Sequence, residues 1–233
     1  MSDSIERYML RGKENWDTSY VLWERKNLWG DPAVPFTADA VELFAADKAL
    51  KVLDLPCGDG RNLPPLASAF TAVIGADSSK NALSLARSVT RSQPLHNVIL
   101  SVADVYATGF VDETFDGIFC CDLLGHLADP VGALRELLRI CRDGHCLVAN
   151  VFATGDSTRG LNMVLVGDEE YIFDERFYFR FYDRERVVRM LDEVAAEVVW
   201  LKEVAWMEPP HEGYREYEHE HRSWLFALRK RAT

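Results

Sequence analysis

The sequence predicts an α/β fold built on a doubly wound, mostly parallel sheet with helices on both faces. From Leu50 onward, short apolar runs alternate with helix-like segments, which is the rhythm of βαβ units. The runs are almost continuously apolar, as expected for strands that are covered on both faces. Polar residues follow the ends of successive runs, which is where sheets of this kind bind their ligands.

Five buried strands account for the apolar runs. They are LKVLDLP (50–56), TAVIGAD (71–77), NVILSVAD (97–104), FDGIFCCD (115–122) and HCLVANVFA (145–153).

Two helices have recognisable beginnings. Asp129 and Pro130 have the residue types of an N-cap and a first helical position, and an apolar stripe at helical spacing follows them. We expect this helix to end at Gly144. Asp183 is expected to cap a second helix, whose inner stripe runs from Val187 to Val194.

A chain of 233 residues is long enough for one well-buried core, so we expect a single domain over 1–233. Residues 1–36 form an aromatic arm, 37–152 the ligand-binding core, 153–182 an aromatic-rich insert, and 183–233 a C-terminal helix with antiparallel strands. The arm and the insert would cover the site.

Composition excludes several classes of function. The net charge is −11 and no run of Lys or Arg is long enough to form a phosphate-binding stripe, which argues against nucleic acid as a partner. No apolar stretch approaches the roughly 20 residues that cross a bilayer, and the start lacks the layout of a secretory signal, so we expect a cytoplasmic protein without membrane contact. The five cysteines are odd in number and form no CxxC pair, which predicts reduced thiols and no metal site.

The most informative segment is VLDLPCGDGRN (52–62), at a predicted strand-to-helix turn. Gly58 and Gly60 allow a tight turn that brings amide groups close to a ligand. A dinucleotide fingerprint would require Gly or Ala three residues after Gly60, where this chain has Leu63. Asp54, directly before the turn, would repel phosphates and attract an ammonium group. The turn therefore predicts a cationic ligand without phosphate.

Further polar groups follow the next strands. Asp77 ends the second predicted strand and can accept two hydrogen bonds from ribose hydroxyls. Asp104 and Val105 follow the third strand, where they suit an adenine amino group and ring. Cys121 and Asp122 end the fourth strand, opposite the first across the point where the strand order reverses. The four strand ends thus carry three or four polar groups that one adenosyl ligand could use.

Residues 49–152 resemble the class I S-adenosylmethionine-dependent methyltransferases, because these motifs occur in the family's order. The resemblance implies a Rossmann-like sheet of seven strands whose last strand, near Ser223–Leu228, is antiparallel. It also implies S-adenosylmethionine as cofactor. Pro56 stands where the first motif glycine is usual, and Gly125 stands where Glu or His often precedes His126. The cofactor-binding residues that we predict are Asp54, Pro56, Gly58, Gly60, Asn62, Asp77, Ser78, Asp104, Val105 and Cys121.

The flanking segments resemble, more loosely, the small-molecule methyltransferases of the tellurite-resistance and thiopurine type. The signals are the aromatic run NWDTSYVLWERKNLWGDPAVPF and the closing HEHRSWLFALRK. An aromatic-walled pocket would favour a planar, uncharged substrate, with Tyr20, Trp23 and Phe179 as representative contacts.

Asp122, His126 and His219 are the candidate bases if the nucleophile must lose a proton. His219 and His221 share one face of an extended chain, and either a metal or a substrate contact, or a solvated acidic connection, would explain them.

The predicted activity is methyl transfer from S-adenosylmethionine to an N, O or S nucleophile of a small, planar or heterocyclic molecule, by a monomer or homodimer. Two alternatives stay open: a nicotinamide-dependent oxidoreductase, and a non-catalytic adenosyl-ligand sensor or metalloid-handling protein.

Overall fold

The structure is a computed structural model that describes residues 3–22, 32–211 and 215–231, without the side chains of 3–11 and Leu22. Its α-helices are α1 (Asp3–Leu22), α2 (Thr37–Ala46), α3 (Leu63–Ala69), α4 (Lys80–Ser92), α5 (Pro130–Ile140) and α6 (Arg184–Asp192). Its strands are β1 (Lys51–Asp54), β2 (Ala72–Asp77), β3 (Val98–Val102), β4 (Phe115–Cys120), β5 (Cys141–Phe152), β6 (Met163–Gly167), β7 (Glu170–Phe173), β8 (Phe177–Arg180), β9 (Ala196–Glu208) and β10 (His219–Lys230). A short 3₁₀ helix covers Leu124–His126.

Seven strands form the main sheet in the order β3-β2-β1-β4-β5-β10-β9. The pairs β1–β2, β1–β4, β2–β3 and β4–β5 are parallel, whereas β10 is antiparallel to both β5 and β9. This confirms the predicted sheet and its antiparallel last strand. The strand order reverses between β1 and β4, and ligands of open α/β sheets bind at that point.

Helices cover both faces of the sheet. Successive residues of each strand point to opposite faces, so neighbouring residues pack against different helices. Leu53 and Ile118 pack with α5 and α6 in one cluster of buried residues. Val52 and Phe119 pack with α2, α3 and α4 in a second cluster. The almost continuous apolar character of the strands therefore reflects burial on two sides.

Side-chain caps begin three of the helices. Ser79 accepts a hydrogen bond from the Ala82 amide at the start of α4, and Asp129 caps α5 in the same way. Asp183 caps α6. The two helix starts predicted from the sequence are confirmed.

The predicted end of α5 at Gly144 is wrong. The helix ends at Ile140 and β5 begins at Cys141, so Gly144 lies inside the strand with φ of 75°. The register between β4 and β5 shifts at this place, from Phe115 opposite Cys141 to Gly117 opposite Cys146. Glycine adopts this left-handed backbone without steric cost, so here it serves an irregular strand start.

The insert forms a separate antiparallel sheet of three strands in the order β6-β7-β8. Its two ends meet at the main sheet, because the Thr154 amide donates to the Tyr182 carbonyl and the Tyr182 amide donates to the Phe152 carbonyl. We call this sheet, residues 163–180, the lid sheet. In the described parts of the chain, no helix has both the length and the apolarity needed to span a membrane.

Candidate active site

A cavity of about 490 Å³ lies at the carboxyl ends of β1 to β4. The loops after these four strands form one side of it. Helix α1, the 3₁₀ helix and the lid sheet form the other side, together with residues near the ends of β9 and β10. The strand ends that carry the predicted polar residues therefore share one space with the aromatic segments.

Asp77 is hydrogen-bonded to the glycine turn. Its Oδ2 accepts from the Gly58 amide at 3.0 Å and its Oδ1 from the Ser79 amide at 2.8 Å. Burial raises the pKa of Asp77 to about 6, although these backbone hydrogen bonds act in the opposite direction. Asp77 lines the cavity, so its carboxylate is placed to accept from a ligand there as well.

Gly58 occupies a position at which a side chain would not fit. Its φ is 53°, and a Cβ at this position would lie 3.1 Å from the hydroxyl oxygen of Tyr20. Gly60 instead packs against Ala86 of α4 and does not belong to the cavity wall. The two glycines of the turn thus serve the ligand space and the helix packing, respectively.

Asp54 is fully buried behind the turn and does not line the cavity. Among the described residues, neither carboxyl oxygen of Asp54 has a hydrogen-bond partner. Burial, reinforced by the charge of Asp77, raises the pKa of Asp54 well above its usual range. A buried carboxyl without partners is costly unless a ligand compensates it. The unpartnered carboxyl suits a cationic cofactor such as S-adenosylmethionine, but because Asp54 does not line the cavity, its contact with that cofactor stays a prediction.

The other predicted cofactor residues lie in the cavity wall. These are Pro56, Asn62, Ser78, Asp104, Val105 and Cys121. Asp104 accepts a hydrogen bond from the Tyr106 amide at 3.0 Å and forms an ion pair with Lys13 of α1. Burial raises the pKa of the Cys121 thiol well above its usual range, and the charge of Asp122 adds to this, so the thiol stays protonated. The individual cofactor contacts of these residues remain predictions.

Two hydrogen bonds join Asp122 and Asn150 at the end of β4. The Asp122 amide donates to Asn150 Oδ1 at 2.8 Å, and Asn150 Nδ2 donates to Asp122 Oδ1 at 2.6 Å. Asn150 also donates to the Ser223 hydroxyl at 3.1 Å, which connects the pair to β10. The carboxylate of Asp122 is therefore held in a defined orientation at the cavity wall.

His126 lies among aromatic rings on the side of the cavity formed by α1, the 3₁₀ helix and the lid sheet. Its ring centroid is 4.5 Å from Phe179, 5.0 Å from Phe152 and 5.1 Å from Trp16. Burial lowers the pKa of His126 to about 4, so the ring is neutral at pH 7. Its Nδ1 lies 2.8 Å from the Tyr178 carbonyl oxygen, which can only accept, so the proton is on Nδ1. The Nε2 atom therefore keeps its lone pair.

His219 does not line the cavity, but its neighbour His221 does. The Nε2 atoms of the two rings are 3.1 Å apart. His219 Nδ1 lies 2.9 Å from the Tyr217 carbonyl, and His221 Nδ1 lies 2.9 Å from the buried carboxylate of Asp156. Both nitrogens of His219 are thus engaged within the protein. Among the described residues, no group of three or more His, Cys, Asp or Glu side chains is arranged to hold a metal ion.

Two of the three predicted substrate contacts lie in the cavity wall. Tyr20 and Phe179 are buried in the cavity wall, whereas Trp23 lies outside the described residues. Trp16 also lines the cavity and packs on Phe177, with ring centroids 4.5 Å apart.

Several charged residues of the cavity were not predicted from the sequence. Asp59 and Arg61 lie inside the glycine turn, where their position was a usable signal. Arg61 reaches across to Glu208 at the end of β9 with an N–O distance of 2.8 Å, and the two side chains are 10% and 7% exposed, respectively. Glu208 and Arg215 lie in the C-terminal segment, where no sequence pattern indicated that they reach the site.

Residues 53–149 match the methyltransferase domain family. The Streptomyces halstedii methyltransferase GfsG is 34% identical over 108 residues, which cover 45% of this chain and 39% of that protein. The Penicillium expansum O-methyltransferase cnsE is 30% identical over 131 residues, covering 52% of this chain and 48% of that protein. The chain thus spans less than half the length of these two relatives.

The fold is similar to that of Burkholderia thailandensis 1,6-didemethyltoxoflavin-N1-methyltransferase, solved with bound 1,6-didemethyltoxoflavin and S-adenosylhomocysteine. The TM-score is 0.69 at 16% identity, and the match covers 97% of this chain and 90% of that one. At this identity the likeness concerns the fold. The domain match and the order of the strand-end motifs confirm the predicted family for residues 53–149. Residues 53–149 belong to a class I, S-adenosylmethionine-dependent methyltransferase domain.

Proposed function

We propose that this protein transfers a methyl group from S-adenosylmethionine to an N, O or S nucleophile of a small, planar aromatic or heterocyclic molecule. One observation carries the proposal: a single cavity joins the carboxylates at the strand ends to a wall of aromatic rings. Asp77 and Asp104 belong to the first side, and Trp16, Phe177 and Phe179 belong to the second. The carboxylate side suits the cationic cofactor, and the aromatic side suits a flat acceptor.

The cofactor supplies an activated methyl group on a positively charged sulfur. The main task of the protein is then to hold the acceptor in line, at the roughly 3 to 3.5 Å from which orientation contributes most to the rate. The aromatic rings around His126 exclude water from the acceptor side and restrict the acceptor to a plane.

His126 is the best-placed residue to orient a nucleophile that carries a proton. Its Nε2 lone pair can accept a hydrogen bond from a hydroxyl, amine or thiol, because Nδ1–H is committed to the Tyr178 carbonyl. A pKa of about 4 makes the ring a weak base, so His126 acts mainly by orientation. Asp122, whose carboxylate Asn150 holds at the cavity wall, is a second group that can accept a hydrogen bond from such a nucleophile. His219 would act only through His221.

Ligand binding followed by turnover tests the proposal. Isothermal titration calorimetry with S-adenosylhomocysteine should show binding to the wild-type protein, whereas NADH, as control ligand, should not bind. Incubation of S-adenosylmethionine with a panel of aromatic acceptors should then release S-adenosylhomocysteine. Binding of NADH in preference to S-adenosylhomocysteine would contradict the proposal. Tight binding of S-adenosylhomocysteine without turnover on any acceptor would support a sensor instead.

A further inference from the structure

Two histidines and a buried aspartate form a chain of polar contacts that begins at the cavity wall. His221 lines the cavity, and its Nδ1 lies 2.9 Å from Oδ2 of Asp156. The Nε2 of His221 lies 3.1 Å from the Nε2 of His219. The Nδ1 of His219 lies 2.9 Å from the Tyr217 carbonyl oxygen. We call His219 and His221 the histidine pair.

Asp156 determines where His221 carries a proton. Its Oδ1 accepts from the amide and the hydroxyl of Thr158, at 2.8 and 2.5 Å, and its Oδ2 accepts from the Arg222 amide at 2.8 Å. Burial acts to raise the pKa of Asp156, but these hydrogen bonds and the interaction with His221 outweigh it and lower the pKa. The group is therefore an ionised carboxylate, which can only accept. The Nδ1 of His221 must then be the donor.

The Nδ1 of His219 also carries a proton, because the Tyr217 carbonyl that it faces can only accept. A neutral imidazole has a single N–H, so two neutral rings would direct their Nε2 lone pairs at each other across 3.1 Å. Two acceptors at this distance repel, and one proton between them turns the repulsion into a hydrogen bond. Among the described residues, no third side chain of a metal-binding type is arranged with the pair, which favours a proton over a metal ion.

The charges around the pair favour one proton over two. Burial lowers the pKa of His219, and the charge of His221 acts in the same direction. Arg215 also opposes positive charge on the pair, whereas Asp156 favours it. Titratable groups lie around the pair on neighbouring segments: Asp156, Glu208, His211, Arg215 and Tyr217.

Strand β10 connects the pair to the part of the cavity wall that holds Asp122. Ser223 follows His221 by two residues and lies on the same face of the strand. Its hydroxyl accepts from Asn150, which also donates to Asp122. Both His221 and Asp122 line the cavity. A proton that is released inside the cavity can therefore reach His221 directly or through one water.

We propose that His219 and His221 share one proton between their Nε2 atoms, and that this pair takes up the proton of the methyl acceptor. This inference rests on the proposed function, because it concerns the reaction in the same cavity. The N–H, O–H or S–H bond of the acceptor breaks, and its proton moves to Nε2 of His221. The electron pair left on the nucleophile forms the bond to the methyl carbon, and the C–S bond breaks with its electrons going to sulfur. His221 is then the catalytic base, and His219 and Asp156 are positioning residues.

Nuclear magnetic resonance of the imidazole nitrogens tests the shared proton without any acceptor. Protein saturated with S-adenosylhomocysteine is titrated through the range in which histidine changes its charge. Both rings of the pair should carry Nδ1–H, and they should release one proton together in a single step. In His219→Phe, which keeps a ring but has no nitrogen, His221 should bind its proton about tenfold more weakly, so the step moves by about one pH unit.

Two results would overturn the shared proton. The first is a separate titration step for each ring, or an unchanged step in His219→Phe. The second is a metal ion in place of the proton. Elemental analysis that finds about one Zn²⁺ per chain in the purified protein, and none in His219→Phe, would establish this second result.

The pH dependence of turnover tests the catalytic role. With an acceptor that the wild-type protein methylates, kcat should rise with pH through the same step at which the pair releases its proton. His221→Phe should lower kcat about a hundredfold and remove this step. His219→Phe should shift the step, and the affinity for S-adenosylhomocysteine should stay within about twofold of wild type in both variants.

His96→Phe is the matched control, because it removes an exposed imidazole outside the cavity wall and should leave kcat and its pH profile unchanged. A kcat of His221→Phe within a few-fold of wild type, with the same pH profile, would overturn the catalytic role alone. Failure of the wild-type protein to bind S-adenosylhomocysteine or to methylate any acceptor would overturn the proposed function and the catalytic role together. The titration of the pair would still decide whether the two rings share a proton.

Discussion

The two sides of the cavity are built in different ways. The cofactor side consists of the loops after four adjacent parallel strands, and its carboxylates are held by main-chain amides, as Asp77 is by Gly58 and Ser79. The acceptor side consists of residues from α1, the lid sheet and the C-terminal segment, which are far apart in the sequence. Its rings, such as those of Trp16 and Phe179, are held by packing on one another.

This difference indicates which side of the cavity tolerates amino-acid substitutions. A carboxylate that satisfies main-chain donors cannot be replaced without leaving those donors unpaired. Aromatic packing is less directional, and hydrophobic residues of similar volume can replace one another at moderate cost. The acceptor side can therefore change its specificity while the cofactor side stays the same.

Helix α1 connects the two sides. Asp17 accepts hydrogen bonds from the Ser79 hydroxyl at 2.7 Å and from Asn81 Nδ2 at 2.8 Å, at the start of α4. Asn15 donates to the Arg176 carbonyl of the lid segment at 2.9 Å. The helix thus contacts both the strand ends and the lid, so changes in α1 are expected to affect both sides.

The largest effect is expected for Asp77→Ala. This change removes an acceptor for two main-chain amides and for the cofactor, so affinity for S-adenosylhomocysteine should fall roughly a hundredfold, or about 3 kcal/mol. Calorimetry measures this loss, and Ser84→Ala, at an exposed position of α4 outside the cavity wall, is the control. An affinity within a few-fold of wild type would show that the strand-end carboxylates do not carry cofactor binding.

Substitutions of Phe179 test whether the two sides of the cavity act independently. Removing this buried ring, which contacts His126, Phe152 and Phe181, should lower the free energy of unfolding by about 3 kcal/mol. Urea unfolding measures this change. Phe179→Leu should cost much less, and its affinity for S-adenosylhomocysteine should match that of wild type. A large loss of cofactor affinity in the Leu variant would show that the two sides are not independent.

The raised pKa of Asp77 gives a pH dependence of stability. This carboxyl ionises near 3.8 in the unfolded chain and at about 6 in the folded protein. Between these values the folded state binds more protons, so its contribution to stability decreases as the pH rises from about 4 to about 6. Urea unfolding at several pH values should show a smaller decrease in Asp77→Asn than in wild type. Identical pH profiles would contradict the assignment.

The smallest effect is expected at the outer end of α1. Lys13 pairs with Asp104, but its side chain is 60% exposed, so water and salt screen the pair. Lys13→Met should change the affinity for S-adenosylhomocysteine about twofold or less. Calorimetry at low and high salt measures this. A change of tenfold or more would show that the exposed Lys13–Asp104 pair contributes strongly to cofactor binding.

Much of the cofactor side was predictable because it depends on local sequence. The strands are apolar runs, the turn has its glycines, and each acidic residue lies at the end of a strand or two residues after it. Parallel strands in one sheet bring such ends together without further information, as with Asp77 and Asp104. The end of α5 was misplaced because Gly144 suits a helix end and an irregular strand equally well.

The sequence by itself determined the sheet, the two capped helix starts and the chemical character of the cofactor side, since these depend on residue periodicity and on neighbours along the chain. Only the tertiary structure decided that Arg215 and Trp16 share a wall, that Asp54 is buried behind the turn, and that His219 contacts His221 instead of the cavity. These contacts join residues from distant segments, and their geometry follows from how helices and sheets pack. No local pattern in the chain encodes that packing.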